Sequence, residues 1–287
     1  MSAPRFIDGL STIAGDFDVL LCDVWGVIHN GITPFADACA ALTRFRAAGG
    51  RVVLITNSPR PSDAVRAQVM QIGVPDNAYD AIVSSGEVTR RAIAAHAGER
   101  AFHLGPARDA ALFDGLNCAF APLAEADYIV CTGLFDDESE TPDDYAVLLA
   151  QAHARHLPMI CANPDLVVHR GDKLIYCAGA LAEHYRALGG AIIMAGKPHA
   201  PIYDEALRLA DEARGAPSPR ARILAIGDSL RTDVDGAHQY GLKALFISAG
   251  IHVADFGDAH SPDRERLMEA LRKIPQMPLA VMSRLVW

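Results

Sequence analysis

The chain has 287 residues and a formal net charge of −9, with 51% hydrophobic, 21% charged and only 7% aromatic residues. That length and composition suit a core domain with one insertion, each able to bury its own core. The acidic balance argues against a nucleic-acid partner, whose phosphates need a basic face, and no segment approaches the roughly 18 uninterrupted apolar residues of a membrane span.

The run Val19-Leu20-Leu21-Cys22 is fully apolar and ends in Asp23, as a buried parallel strand does before a functional loop. Residues 34 to 49 carry apolar positions at helical spacing, and Gly49-Gly50 closes that helix before a strand at Arg51 to Thr56. After Pro59 and Pro61 we expect a helix to Gly73, a strand at Ala81 to Ser84 and a helix to about Gly98. The far end repeats the alternation. Strands are expected at 191 to 195, 223 to 226 and 243 to 247, with helices at about 201 to 214 and 232 to 240. Alternating elements of this kind imply an α/β fold, a Rossmann-like, doubly wound parallel sheet with helices on both faces and ligands at the carboxyl ends of the strands. Between the halves, strand-like runs at 101 to 104, 127 to 131 and 158 to 161 predict an inserted α/β domain. The expected division is a discontinuous core over 1–98 and 180–287 and a cap over 99–179.

Six cysteines (Cys22, Cys39, Cys118, Cys131, Cys161, Cys177) form no CxxC pair, and four lie in apolar runs, so we read them as free thiols. That usage predicts a reducing, cytoplasmic setting, as does an N-terminal region interrupted by Asp8 and Asp16. The acidic patch Asp136 to Glu140 reads as a solvated loop rather than a metal site.

Four places combine reactive side chains with strand-end positions: Asp23, Thr56-Asn57, Lys197, and Asp228 with Asp233. Three carboxylates brought to one sheet edge repel one another and raise their pKa values unless a cation sits among them, and a hard, oxygen-seeking Mg²⁺ fits that need. Such a metal neutralises a phosphoryl group and screens an attacking carboxylate from it. Asp23 is then placed to attack phosphorus. Thr56 and Asn57 offer a hydroxyl, an amide and backbone N–H groups to phosphoryl oxygens, and Lys197 supplies positive charge.

Asp-x-x-Gly-Val (23 to 27), Thr-Asn (56 to 57), Gly-Lys-Pro (196 to 198) and Gly-Asp-x-x-x-x-Asp (227 to 233) resemble, in order, the four motifs of the haloacid dehalogenase superfamily. Only 33 residues separate Asp23 from Thr56, whereas 140 separate Asn57 from Lys197, so the insertion lies in the second gap. That placement is similar to the subclass of the phosphatase NagD and pyridoxal phosphate phosphatase, as are Asn-Pro-Asp at 163 to 165 and Gly-Ala-Leu at 179 to 181. The resemblance implies a Mg²⁺-dependent phosphatase acting on a small phosphorylated metabolite, with a cap that covers the site and forms a homodimer. It implies that Asp23 is the nucleophile, that Thr56, Asn57 and Lys197 bind the phosphoryl group, and that Lys197 balances charge. Asp23, the Trp25 main-chain oxygen, Asp228 and Asp233 are the implied metal ligands.

One position departs from the pattern. Family phosphatases usually carry a second aspartate two residues after the nucleophile, which protonates the leaving alcohol and later activates water; here it is Trp25, whose indole transfers no proton at neutral pH. Such catalysis is typically worth about 10²- to 10⁴-fold. Candidate replacements are His29 in the following flap and Asp165 or His169 in the cap. The alternatives are a substrate whose leaving group needs little protonation, including a phosphonate, a phosphotransferase reaction, or a phosphate-ligand binding or regulatory protein with little turnover.

Overall fold

The computed structural model describes residues 3–170, 173–259 and 261–287; residues 1–2 of the expected core, 171–172 of the expected cap, and 260 lie outside the described residues. In chain order the strands are β1 (Arg5–Phe6), β2 (Val19–Cys22), β3 (Arg51–Thr56), β4 (Ala81–Ser84), β5 (Arg100–Leu104), β6 (Ala119–Phe120) and β7 (Tyr128–Cys131). They continue as β8 (Met159–Cys161), β9 (Val167–Arg170), β10 (Lys173–Tyr176), β11 (Ile192–Met194), β12 (Ile223–Gly227), β13 (Lys243–Ile247) and β14 (Ala280–Met282). The helices are α1 (Ala36–Ala47), α2 (Ser62–Ile72), α3 (Ser85–Ala94), α4 (Ala146–Ala154) and α5 (Ala178–Ala187), followed by α6 (Ala200–Arg214), α7 (Asp235–Gln239), α8 (Val253–Phe256) and α9 (Arg264–Leu271).

Every residue of β2 and β12 is buried, which only a sheet covered on both faces permits. Alternate side chains feed two cores. Leu20, Leu54, Ile226 and Leu245 face one side together with Leu42 and Phe45 of α1. Leu21, Val53, Ala225 and Phe246 face the other, under Ile202, Tyr203 and Ala206 of α6. The sheet has seven parallel strands in the order β1-β14-β13-β12-β2-β3-β4. From β2 the chain builds outward through β3 and β4, and from β12 it builds the opposite way. The junction between β2 and β12 is therefore the topological switch point, where strand ends leave a crevice. Cys22 is paired with Ile226, so Asp23 and Asp228 emerge side by side from adjacent strands.

A second parallel sheet has the order β11-β8-β7-β5-β6, and β9 with β10 forms a separate antiparallel hairpin. One expected boundary is corrected here. The strand near 191–195 belongs to this second sheet, because Ile192–Met194 pairs with Met159–Cys161. Helix α5 likewise packs Ala178, Leu181 and Tyr185 on Ile129, Cys131 and Met159, so a division at 179/180 would cut through a helix of the cap. The β8-to-β11 connection is one crossover unit, and its helix and second strand stay with the sheet they close. Lys197 thus follows a cap strand and precedes core helix α6, at the crossing between the two sheets.

Leu54 lies fully buried in β3 between β2 and β4. Replacing it with alanine removes its contacts on the α1 face, and urea unfolding of Leu54→Ala should show a loss of about 2–5 kcal/mol.

Candidate active site

Asp23 is carried past the end of β2 by a main-chain bond from its N–H to the Ile226 oxygen (2.8 Å). Asp228 follows β12 directly, and its Oδ2 accepts from the Ile251 N–H (2.7 Å). Asp233 lies in a turn of π-helix, Leu230–Val234, and its Oδ2 accepts from the Ser229 N–H (3.0 Å). Widened turns of this kind re-aim a side chain without ending the helix. Together these supports bring one carboxylate oxygen of each of the three aspartates within 4.8 Å of the others. Close approach also needs Gly26: its φ is +76°, and a Cβ there would lie 2.0 Å from Asp228 Oδ2.

The buried Lys197 ammonium lies 2.6 Å from Asp23 Oδ1 and 2.6 Å from Asp233 Oδ1. One ammonium against three carboxylates leaves negative charge uncompensated in a buried place. Burial therefore raises the Asp23 carboxyl to about 7 even though Lys197 opposes the shift, and it pushes Asp228 up as well, with Asp23 and Asp233 adding repulsion. Burial opposes the charged form of Lys197, but Asp23 and Asp233 outweigh it and hold the ammonium protonated. An all-oxygen cluster with surplus negative charge is a donor set suited to a hard divalent cation.

These groups floor a cavity of about 530 Å³ roofed by the cap. Trp25 and Thr56 line it from the core side, and Asp165 and His169 from the cap side. Thr56 Oγ1 accepts from the Ser58 N–H (3.2 Å), which leaves its own proton free to donate into the cavity. Asp165 follows β8 of the cap sheet, and its carboxyl is raised first by burial, against the pull of Lys197 and of its bond to Asn57.

One expected role narrows to the main chain, and one changes. The Asn57 side chain binds protein rather than facing a phosphoryl group: its Nδ2 donates to Asp165 Oδ1 (2.9 Å) and to the Lys197 oxygen (3.0 Å), and its Oδ1 accepts from the Lys197 N–H (2.7 Å). Both amide protons are used. His29 does not reach the cavity. It is fully buried, its ring set edge-on to Trp25 with centroids 5.3 Å apart, and its Nδ1 accepts from the Gly31 N–H (2.9 Å). It packs the flap in place of working on a substrate.

The cavity walls hold residues that sequence reasoning missed. Asp109, buried, pairs across the two sheets with Arg60 at 3.6 Å, and Asp137 is clamped between Arg108 and Arg170. The acidic run 136–140 was visible, but of it only Asp137 lines the cavity; Glu138 pairs outward with Lys173, and Glu140 accepts from the Tyr145 hydroxyl. No spacing in the sequence announces these partners, since each comes from a different element.

Burial holds His29 at about 4, below its ordinary 6.5, because the imidazolium is disfavoured. The unfolded chain then binds more protons than the native one, so stability is full above about pH 6.5 and falls as pH drops through 4, by about 3 kcal/mol at most. Thermal melts from pH 7 to pH 4 should show that slope in the native protein and a shallower one in His29→Gln.

The sequence pattern described as haloacid dehalogenase-like hydrolase matches residues 20–119, and one described as HAD-hydrolase-like matches 194–272. The crystal structure of a hydrolase of the haloacid dehalogenase-like family from Brucella suis 1330 shares 48% identity, covering 98% of this chain and 100% of that one, with a TM-score of 0.88. The D-glycerol 3-phosphate phosphatase of Mycobacterium tuberculosis is 26% identical over 249 residues, 85% of this chain and 67% of its own length. A possible sugar phosphatase from Cytophaga hutchinsonii shares the fold at a TM-score of 0.79 with 19% identity, each chain 97% covered. The motif order, the strand-end carboxylates and the full-length likeness to the Brucella protein agree: the chain belongs to the haloacid dehalogenase-like hydrolase family.

Proposed function

We propose that this protein is a Mg²⁺-dependent phosphatase that hydrolyses monoesters of small phosphorylated metabolites through Asp23. The observation that supports this most is the contact of Lys197 Nζ with Asp23 Oδ1 at 2.6 Å, inside the three-aspartate cluster and beneath the shared cavity. With Oδ1 held by the ammonium, the other Asp23 oxygen is left to attack phosphorus. The bond from phosphorus to the leaving oxygen breaks, an aspartyl-phosphate forms, and water then attacks that phosphorus to release inorganic phosphate and restore the carboxylate. Mg²⁺, held by Asp23, Asp228, Asp233 and the Trp25 main-chain oxygen, would neutralise charge on the phosphoryl oxygens. Lys197 opposes protonation of the nucleophile and holds it in place, and the Thr56 hydroxyl donates to a phosphoryl oxygen.

The relatives' activities support that chemical class. One acts on D-glycerol 3-phosphate, and solved neighbours include a p-nitrophenyl phosphatase from Archaeoglobus fulgidus. No helix among the described residues is long and apolar enough to cross a membrane, and six free thiols accord with a cytoplasmic setting. A homodimer through the cap is part of the same reading. The edge strand β11 exposes Ile193 there, and sedimentation measures the assembly.

Trp25 supplies no proton to the leaving oxygen, so the rate should depend steeply on the leaving group. Phosphate release should require Mg²⁺, vanish in Asp23→Asn, and run at least about 10²-fold faster on aryl than on alkyl phosphates, with Trp25→Asp narrowing the gap. Binding of phosphorylated compounds without turnover on any substrate, in both the native protein and Trp25→Asp, would instead make the chain a regulatory ligand binder.

A further inference from the structure

The carboxyl ends of the two sheets meet at one place, and the bonds there converge on Lys197. Asn163, Pro164 and Asp165 follow β8 of the cap sheet, and the Asp165 N–H donates to Asn163 Oδ1 (3.0 Å), which shapes that turn. Asp165 Oδ1 accepts from Asn57 Nδ2 (2.9 Å) at the end of core strand β3. The same Asn57 amide brackets the Lys197 main chain, accepting from its N–H (2.7 Å) and donating to its oxygen (3.0 Å). Gly196 permits the approach: a Cβ there would lie 2.5 Å from Asn57 Oδ1 and 2.8 Å from Pro164 Cδ.

We propose that Asp165 is a positioning residue for the catalytic lysine: by orienting the Asn57 amide it couples the seating of the cap to the placement of Lys197 against Asp23. An asparagine amide can bracket a main-chain N–H and C=O only in one flip state. In the observed state Oδ1 faces the Lys197 N–H and Nδ2 faces the Lys197 oxygen. Asp165 accepts from the second Nδ2 proton, so the reversed amide would set its oxygen against a carboxylate oxygen. The Lys197 main chain already selects the proper state, and Asp165, seated with the cap turn, adds to that preference and anchors the amide from the cap side. Lys197 enters the site straight from the crossing after β11, which is why an anchor that draws on both sheets matters for its main chain. The inference rests on the phosphatase reading of the site and gives Asp165 a role distinct from proton transfer.

Substitution separates these roles. Asp165→Asn keeps an oxygen that accepts from Asn57 Nδ2 but cannot transfer a proton, whereas Asp165→Ala removes the acceptor. On an aryl phosphate with Mg²⁺, kcat/KM of Asp165→Ala should fall about tenfold, roughly the loss of one partly buried hydrogen bond. Asp165→Asn should stay within about threefold of native. Calorimetric titration with inorganic phosphate and Mg²⁺ gives a second readout free of turnover, and it should show weakened binding in Asp165→Ala and near-native binding in Asp165→Asn. Native behaviour of both variants overturns the proposal, and so does equal loss in both, which would assign Asp165 to proton transfer. Asp23→Asn is the control: activity that survives it defeats the phosphatase reading itself, whatever Asp165 does. A native protein that neither turns over nor binds phosphate defeats both.

Discussion

The structure depends on one buried contact, the Lys197 ammonium between Asp23 and Asp233 at 2.6 Å from each. Charges taken from water cost several kcal/mol apiece unless their partners are close and well aligned, so this cluster persists only because three separate elements are held rigidly around it. The sheet places Asp23 and Asp228 at the switch point, the π-turn aims Asp233 inward, and the crossing from cap to core delivers Lys197. The lysine is the one member whose placement requires both sheets. An active site arranged this way is complete only when the cap is seated.

Much of the core was legible because parallel strands buried on both faces read as short apolar runs, and β2, β3, β12 and β13 all do. The strand-end carboxylates were legible for the same reason, since a charged residue straight after such a run lands on the sheet edge where ligands bind. What the sequence hid was partnership. Ile192–Met194 is as apolar as a core strand, and only its pairing with β8 assigns it to the cap. Asn57 stands where a phosphate binder is expected, but its amide is consumed by Lys197 and Asp165, 140 and 108 residues away. His29 is polar and near the nucleophile in sequence, yet the flap turns it into the core against Trp25. Contacts between distant segments leave no periodic trace.

The two sheets divide the chemistry. The core holds the groups proposed to meet a phosphoryl oxygen, and the cap adds ion pairs to the walls: Asp109 with Arg60 of the core, and Asp137 with Arg108 and Arg170. Trp25 narrows the chemistry further. It stands where the family pattern usually has a carboxyl that serves the leaving oxygen, so in the proposed reaction Trp25 leaves acceleration to charge, positioning and any group the cap brings in.

The most direct test of the account is calorimetric titration of Mg²⁺ into the metal-free protein and into Asp228→Asn. The carboxylate cluster predicts one site in the native chain that weakens by at least about tenfold in the variant, the loss of one charged ligand. Equal Mg²⁺ affinity in the two proteins, or no binding to the native one, would contradict the claim that these aspartates are arranged around a divalent cation.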